Sequence, residues 1–337
     1  MKEAMLMVSS KDVAKYAGVS QTTVSRVLNT PELVKAATVE KVTKAIEALN
    51  YIPNENARLL VQNRTNTIAL LSGPLHNPFF VDTTMAIVNY ANSQGYKVDV
   101  QFVNDEKITQ AYARFLERKV DGLILSCIFM DDPFFHQLEN LNIPFTTYNR
   151  KHNQQRFFVE IDNEQAGYLA AKHLLDLGHK NIAWIGGSQE VSTYANRFLG
   201  IQRAFKEAHI PLESAYVYHT DTLKQTIEQT VMTILALPDP PTALIGGADS
   251  IALMLMDICL EKKLLIPQDI SIIGIDNVEL AKHQSIQLTT VGDCDESNLG
   301  LIAIQELIEN IENKKNSCIE ITKSVSLFLR DTTAPFR

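Results

Sequence analysis

Cysteine is scarce and dispersed. The 337 residues include four, Cys127, Cys259, Cys294 and Cys318, and none forms a C-x-x-C pair. A metal cluster or redox dithiol is therefore disfavoured, and the thiols read as free, small hydrophobes. Neither a metal nor a cofactor is expected. Long apolar runs are also missing. Nothing approaches the roughly 18 residues that a membrane helix needs, so no membrane contact is expected. Met1–Ser10 carries one Lys, one Glu and a short apolar patch, with no small-residue cleavage site after it. It is too short for a secretory leader, and a soluble, cytoplasmic protein is expected. The chain has no G-x-x-x-x-G-K-[ST] phosphate loop, no H-E-x-x-H and no G-x-S-x-G elbow, and its eight histidines are scattered. These absences count against an enzyme. No low-complexity stretch and no clear short repeat is visible.

What is present suffices for a large core. Hydrophobic residues make up 45%, at the edge of ordinary globular usage of about 45–50%. At roughly 100–200 residues per domain the length suggests two or three domains. Charge is unevenly placed. Within a net −8, residues 1–64 hold nine Lys/Arg and six Asp/Glu, a local +3; residues 65–337 hold 22 basic and 33 acidic, a local −11. A basic head on an acidic body fits a head that meets phosphate and a body that does not.

The chain changes style along its length. Residues 1–50 contain three helical patterns and nothing strand-like. From Ile68 on, β-type runs (Ile68–Ser72, Val98–Val103, Gly122–Ser126, Pro144–Tyr148, Asn181–Gly186, Ala243–Gly246, Ile270–Ile275) alternate with helical ones (Ala111–Lys119, Gln165–Leu177, Arg197–Ala208). Such alternation implies crossover units and parallel sheets covered on both faces. Gly186-Gly187-Ser188 and Gly246-Gly247-Ala248-Asp249 follow two of the strands, where α/β proteins hold ligands. Asn54–Asn66 reads as a linker with a short helix inside.

In the head, Ser9 and Asp12 read as a capping box before a helix at Lys11–Ala17. Gly18-Val19-Ser20 is a turn, with Ser20 capping a second helix at Gln21–Asn29. The outward face of that helix carries Gln21, Thr22, Ser25, Arg26 and Asn29, donors and acceptors suited to base edges and phosphates. A third helix, Ala36–Asn50, aligns Val39, Val42, Ile46 and Leu49. Two strings, K-D-V-A-K-Y-A-G-V-S-Q-T-T-V-S-R-V-L-N (Lys11–Asn29) and A-I-E-A-L-N-Y-I-P-N-E-N-A-R-L-L (Ala45–Leu60), closely resemble the head and hinge of LacI/GalR transcription regulators. The likeness continues in register to the C-terminus.

The resemblance implies an all-α helix-turn-helix head (residues 1–53), a hinge (54–66) and an α/β body (67–337). The body would resemble the periplasmic binding proteins, with two Rossmann-like subdomains, 67–161 with 292–323 and 162–291 with 324–337. It implies a homodimer on a pseudo-palindromic double-stranded DNA operator, acting as a repressor of carbohydrate uptake or catabolism genes. A small effector, a sugar or sugar derivative, would sit between the subdomains; a protein corepressor is the alternative partner. Gln21 and Thr22 fall on the specificity positions, and Ser9, Ser20, Thr23, Ser25, Arg26 and Asn29 complete the DNA-facing set of the head. In the hinge, Asn54, Ala57, Arg58 and Leu60 match, with Leu60 as the minor-groove wedge. The body offers Phe79 and Phe80 in N-P-F-F, Asn149-Arg150, Arg197, Asp249 and Asp276 for the effector, with Thr222 where many relatives have an aromatic. Asp249 could instead cap the helix that follows it. Val61 and Lys35 depart from the family pattern, at a basic position and a Ser cap. Residues 1–6 extend beyond the usual start. No heptad tail follows Val325–Leu329, so a tail-mediated tetramer is not expected.

Overall fold

The computed structural model describes residues 8–51, 64–103, 111–112, 119–154, 156–313 and 318–336. The chain forms two compact units, Met1–Thr65 and Asn66–Arg337. Among the described residues no helix is long and apolar enough to cross a membrane.

The first unit packs α1 (Ser10–Ala17), α2 (Gln21–Asn29) and α3 (Ala36–Ala48) around Val13, Ala14, Val24, Val27, Val42, Ala45 and Tyr51. Apolar residues three and four apart put one stripe of each helix on this core. Gly18 ends α1 in the left-handed region, φ 66°, a conformation a Cβ would strain. Lys35 precedes α3 without a side-chain cap, and the helix stops at Ala48, two residues short of the expected end.

The second unit contains two sheets of one design. The first takes β1 (Thr67–Ser72), β2 (Lys97–Phe102), β3 (Gly122–Leu125), β4 (Phe145–Tyr148), β5 (Phe157–Ile161) and β11 (Ile319–Lys323). Their order is β11-β5-β4-β3-β1-β2, all parallel. The second takes β6 (Ile182–Gly186), β7 (Val217–His219), β8 (Ala243–Gly246), β9 (Ser271–Ile275), β10 (Thr290–Asp293) and β12 (Val325–Phe328). Its order is β12-β10-β9-β8-β6-β7, parallel except where β12 runs against β10. Read in chain order, the five strands of each subdomain are arranged identically, 5-4-3-1-2, with a late strand at the edge. The order reverses beside β1 and beside β6, which opens a crevice at the carboxyl ends of both sheets.

Helices α4 (Pro78–Ser93), α5 (Phe134–Asn140) and α10 (Leu299–Asn313) accompany the first sheet. Helices α6 (Asn163–Asp176), α7 (Ser192–Glu207), α8 (Lys224–Leu235) and α9 (Asp249–Glu261) accompany the second. Central strands such as β1, β3, β6 and β9 are buried almost throughout, which is why they read as unbroken apolar runs. The chain passes between sheets three times, after β5, after β10 and between β11 and β12. The middle passage lies at 294–298, two residues past the expected boundary near 291/292, which falls inside β10. β5, β10 and β11 were not among the strands singled out. They are four or five residues long, and β11, at the sheet edge, alternates buried with exposed positions. Most of Ala111–Lys119 lies outside the described residues.

Candidate functional site

The head presents one polar face built by the start of α2. Ser9 donates its backbone N–H and its hydroxyl to the Asp12 carboxylate, at 2.9 and 2.6 Å, starting α1. Those bonds hold the Asp12 carboxyl below its usual range. Ser20 starts α2 by accepting the Thr23 N–H at 3.1 Å, and the two hydroxyls lie 2.8 Å apart. Ser9, Ser20 and Thr23 are thus engaged in capping, whatever else they meet. Gln21, Thr22, Ser25 and Arg26 are exposed, with Asn29 half-buried. Asn29 donates its amide to Ser25 Oγ at 3.3 Å, and its buried Oδ1 has no hydrogen-bond partner among the described residues. The Gln21 amide donates to Ser10 Oγ on α1 at 2.9 Å. Asn54, Ala57, Arg58 and Leu60 lie outside the described residues.

Among the described residues two cavities open in the body's crevice. One, of about 120 Å³, lies beside the chain passages and is lined by Phe79, Asn149, Arg197, Asp276, Asp82 and Lys282 among others. The other, of about 320 Å³, is lined by loops from both subdomains, with Phe80, Arg150 and Phe129 from one and Tyr194, Thr222 and Glu190 from the other. The sequence candidates are therefore divided. Phe79, Asn149, Arg197 and Asp276 share the first cavity; Phe80, Arg150 and Thr222 share the second. Asp249 lines neither. It is fully buried as the first residue of α9, its oxygens accepting the Thr290 hydroxyl at 2.5 Å and the Val278 N–H at 3.0 Å. Burial first, and then the charge of Asp276, push its carboxyl up to about 7.

Arg197 is 1% exposed and largely satisfied from within. Its Nε donates to Asn163 Oδ1 at 2.9 Å, Nη1 to the Gly247 carbonyl at 2.6 Å and Nη2 to Asp276 Oδ1 at 2.6 Å. Five donors allow this and still leave others for a ligand. Burial raises the Asp276 carboxyl from its ordinary value, and Arg197 draws it part of the way back. Arg197 reaches this position because α6 and α7 touch backbone to backbone. A Cβ on Gly167 would lie 1.8 Å from the Arg197 carbonyl oxygen, and one on Gly200 1.9 Å from that of Glu164.

The larger cavity has an aromatic wall on each side. Phe80 stands seven residues after Gly73, and Tyr194 seven after Gly187. In each case the ring occupies the space of the missing side chain: a Cβ on Gly73 would meet Phe80 at 2.2 Å, and one on Gly187 would meet Tyr194 at 2.3 Å. Glycines after β1 and β6 thus seat equivalent rings in the two subdomains. Tyr194, Phe129 and Glu190 were not anticipated. The matching seven-residue offset from a glycine is the signal that could have found Tyr194.

The crevice walls are bonded across. The Thr193 hydroxyl donates to the Asn149 carbonyl at 2.7 Å, the Lys151 N–H to Ser192 Oγ at 3.0 Å and the Met130 N–H to the Glu190 carbonyl at 2.9 Å. Asn149, Thr222, Asp276 and Asn277 all have positive φ, 68°, 62°, 138° and 56°. Such strain, above all at a β-branched residue, persists where the surroundings dictate the loop shape. Among the described residues one acidic group, Asp293, Cys294 and Asp295, brings its donor atoms within 4.8 Å of one another, with Asp293 on the wall of the smaller cavity. It does not fit a metal, because Ser297 and Lys323 already hold Asp293 and Asp295.

Comparisons with known proteins give the same outline. Residues 10–54 match bacterial regulatory proteins of the lacI family, and 171–333 a periplasmic binding protein-like domain. The chain is 36% identical over 312 residues to the HTH-type transcriptional repressor PurR of Aliivibrio salmonicida, covering 91% of this chain and 93% of that one. The lac repressor dimer bound to operator and the anti-inducer ONPF superposes with a TM-score of 0.82 at 28% identity, over 97% of this chain and 99% of that one. A LacI family regulator from Enterococcus faecium with bound ribose gives 0.71 at 26% identity, over 80% of this chain and all (100%) of that one. With a reading head, a two-sheet body and a repressor matched along nearly its whole length, this chain belongs to the lacI family of bacterial regulatory proteins and is a DNA-binding transcriptional regulator.

Proposed function

We propose that the protein represses genes of carbohydrate uptake or catabolism and responds to a sugar or sugar derivative held in the crevice. Two copies would read a pseudo-palindromic operator through α2, as two-fold proteins do. Asn54, Ala57, Arg58 and Leu60 would order over the operator centre, with Leu60 as the wedge. The observation that carries the effector reading is the cavity between Phe80 and Tyr194. Aromatic faces on opposite walls suit the apolar faces of a ring, and Arg150, Glu190 and Thr222 supply polar groups for its rim. The ribose bound by the Enterococcus relative supports the same class of ligand. Because the cavity draws on both subdomains, a ligand there favours one crevice geometry, and its affinity is linked to that of DNA, typically by about 1–3 kcal/mol.

The test is a thermal-shift screen of the full chain against mono- and disaccharides, sugar phosphates and purines, followed by operator binding with each hit. A ligand at a hundredfold excess over Kd stabilises the folded body by about 2.7 kcal/mol. A sugar that raises Tm and changes operator affinity supports the reading. A hit confined to purines, or none among sugars, overturns the carbohydrate assignment and leaves the regulator assignment standing.

A further inference from the structure

Two serines open α1, and only one is needed to start the helix. Ser9 is the N-cap and spends its N–H and hydroxyl on Asp12. Ser10, the first helical residue and half-buried, has a different partner. Its Oγ accepts an N–H from the side-chain amide of Gln21 at 2.9 Å, eleven residues on. This bond ties the first turn of α1 to the first turn of α2, at a residue exposed on the reading face. Ser20, which precedes Gln21, caps α2 with Thr23, so neither hydroxyl competes for the amide.

A glutamine amide has two N–H donors and one carbonyl acceptor. With one N–H given to Ser10, rotation of the amide is restrained, and one donor and the acceptor are left unclaimed among the described residues. In the major groove adenine offers one acceptor, N7, and one donor, N6–H; guanine offers two acceptors, N7 and O6. The restrained amide matches adenine and lacks a second donor for guanine. Restraint before binding also reduces the ordering cost at the interface. We infer that Ser10 is a positioning residue that holds Gln21 for adenine and against guanine at one operator position. This rests on α2 being the reading helix.

The experiment is selection of the full-length chain on duplexes with a randomised core, with and without a protein-free cell extract that supplies any co-effector. Wild type, Gln21→Ala, Ser10→Ala and Ser10→Thr are compared by sequencing, and Tm is recorded for each. The position at which Gln21→Ala loses preference is the one Gln21 reads. Wild type is expected to choose adenine there, by roughly tenfold or more over guanine. Ser10→Ala is expected to reduce that ratio several-fold at this position alone, with Tm and the other positions unchanged. Ser10→Thr, which keeps the hydroxyl, is expected to retain it. A Ser10→Ala profile identical to wild type, a uniform loss at all positions, or a base other than adenine at the Gln21 position overturns the assignment. A wild-type chain that enriches no sequence under either condition overturns it together with the DNA-reading role of α2.

Discussion

Arg197 has a structural duty beside the binding one proposed for it. Its bond to Asp276 lies inside the second subdomain, with side chains 1% and 5% exposed. Removing the cation would leave a buried carboxylate without its partner, a change that costs about 3–5 kcal/mol in comparable pairs. Arg197→Ala is therefore expected to lower Tm before any ligand is added. Tyr194→Ala probes the cavity more cleanly, because its ring packs on Gly187 and lines the open space. It is expected to abolish the thermal shift given by the effector; an undiminished shift would remove Tyr194 from the site. Asp249 adds a pH dependence of its own. Its folded carboxyl titrates near 7 against an ordinary 3.8, so the folded state holds the proton more tightly than the unfolded one. Its contribution is then fully present below about pH 4 and is lost as pH rises through about 7. The Tm difference between wild type and Asp249→Asn should shift against wild type between pH 5 and 8; a difference independent of pH would contradict this. Asp276 and Arg197 were legible from the family likeness, but their pairing was not. Asp249 could be read as ligand or cap because both uses place a carboxylate at the start of a helix.

At the level of elements, glycines decide how closely helices and strands approach. Gly167 and Gly200 let α6 and α7 meet through their backbones. Neither can take a methyl group unless a helix shifts, and overpacking of this kind typically costs about 1–3 kcal/mol. Gly167→Ala should lower Tm and weaken effector binding together, since α7 carries both Tyr194 and Arg197; unchanged values of both would show that the helices part freely. The helical stretches were visible as 3.6-residue periodicity, and the central strands as apolar runs. The short β5, β10 and β11 were not, because four or five residues give too little pattern to separate a strand from a loop, and β5 and β11 are also of mixed burial.

Over the whole molecule, reading head and sensing body are separate compact units, so their coupling is a matter of affinities. Leu60→Ala is expected to weaken operator binding substantially while leaving the Tm of the body and its effector affinity unchanged; unaltered operator binding would rule out the wedge. If the effector changes operator affinity by a given factor, operator DNA must change effector affinity by the same factor. Titrating effector with and without operator DNA checks this.

The sequence by itself determined what is local or periodic. Ser9, Gly18 and Ser20 mark where the head's helices begin and end, because caps and turns depend on a few adjacent residues. Alternating β and α runs implied parallel sheets, and the strings at Lys11–Asn29 and Ala45–Leu60 carried the family. Only the tertiary structure decided which side chains meet across the chain. It divided Phe79 from Phe80 between two cavities and closed Arg197 on Asp276. It set Tyr194 opposite the Phe80 wall, and it joined Ser10 to Gln21. Each of these pairings depends on how two elements pack, and no spacing along one segment encodes the distance between residues that belong to different ones.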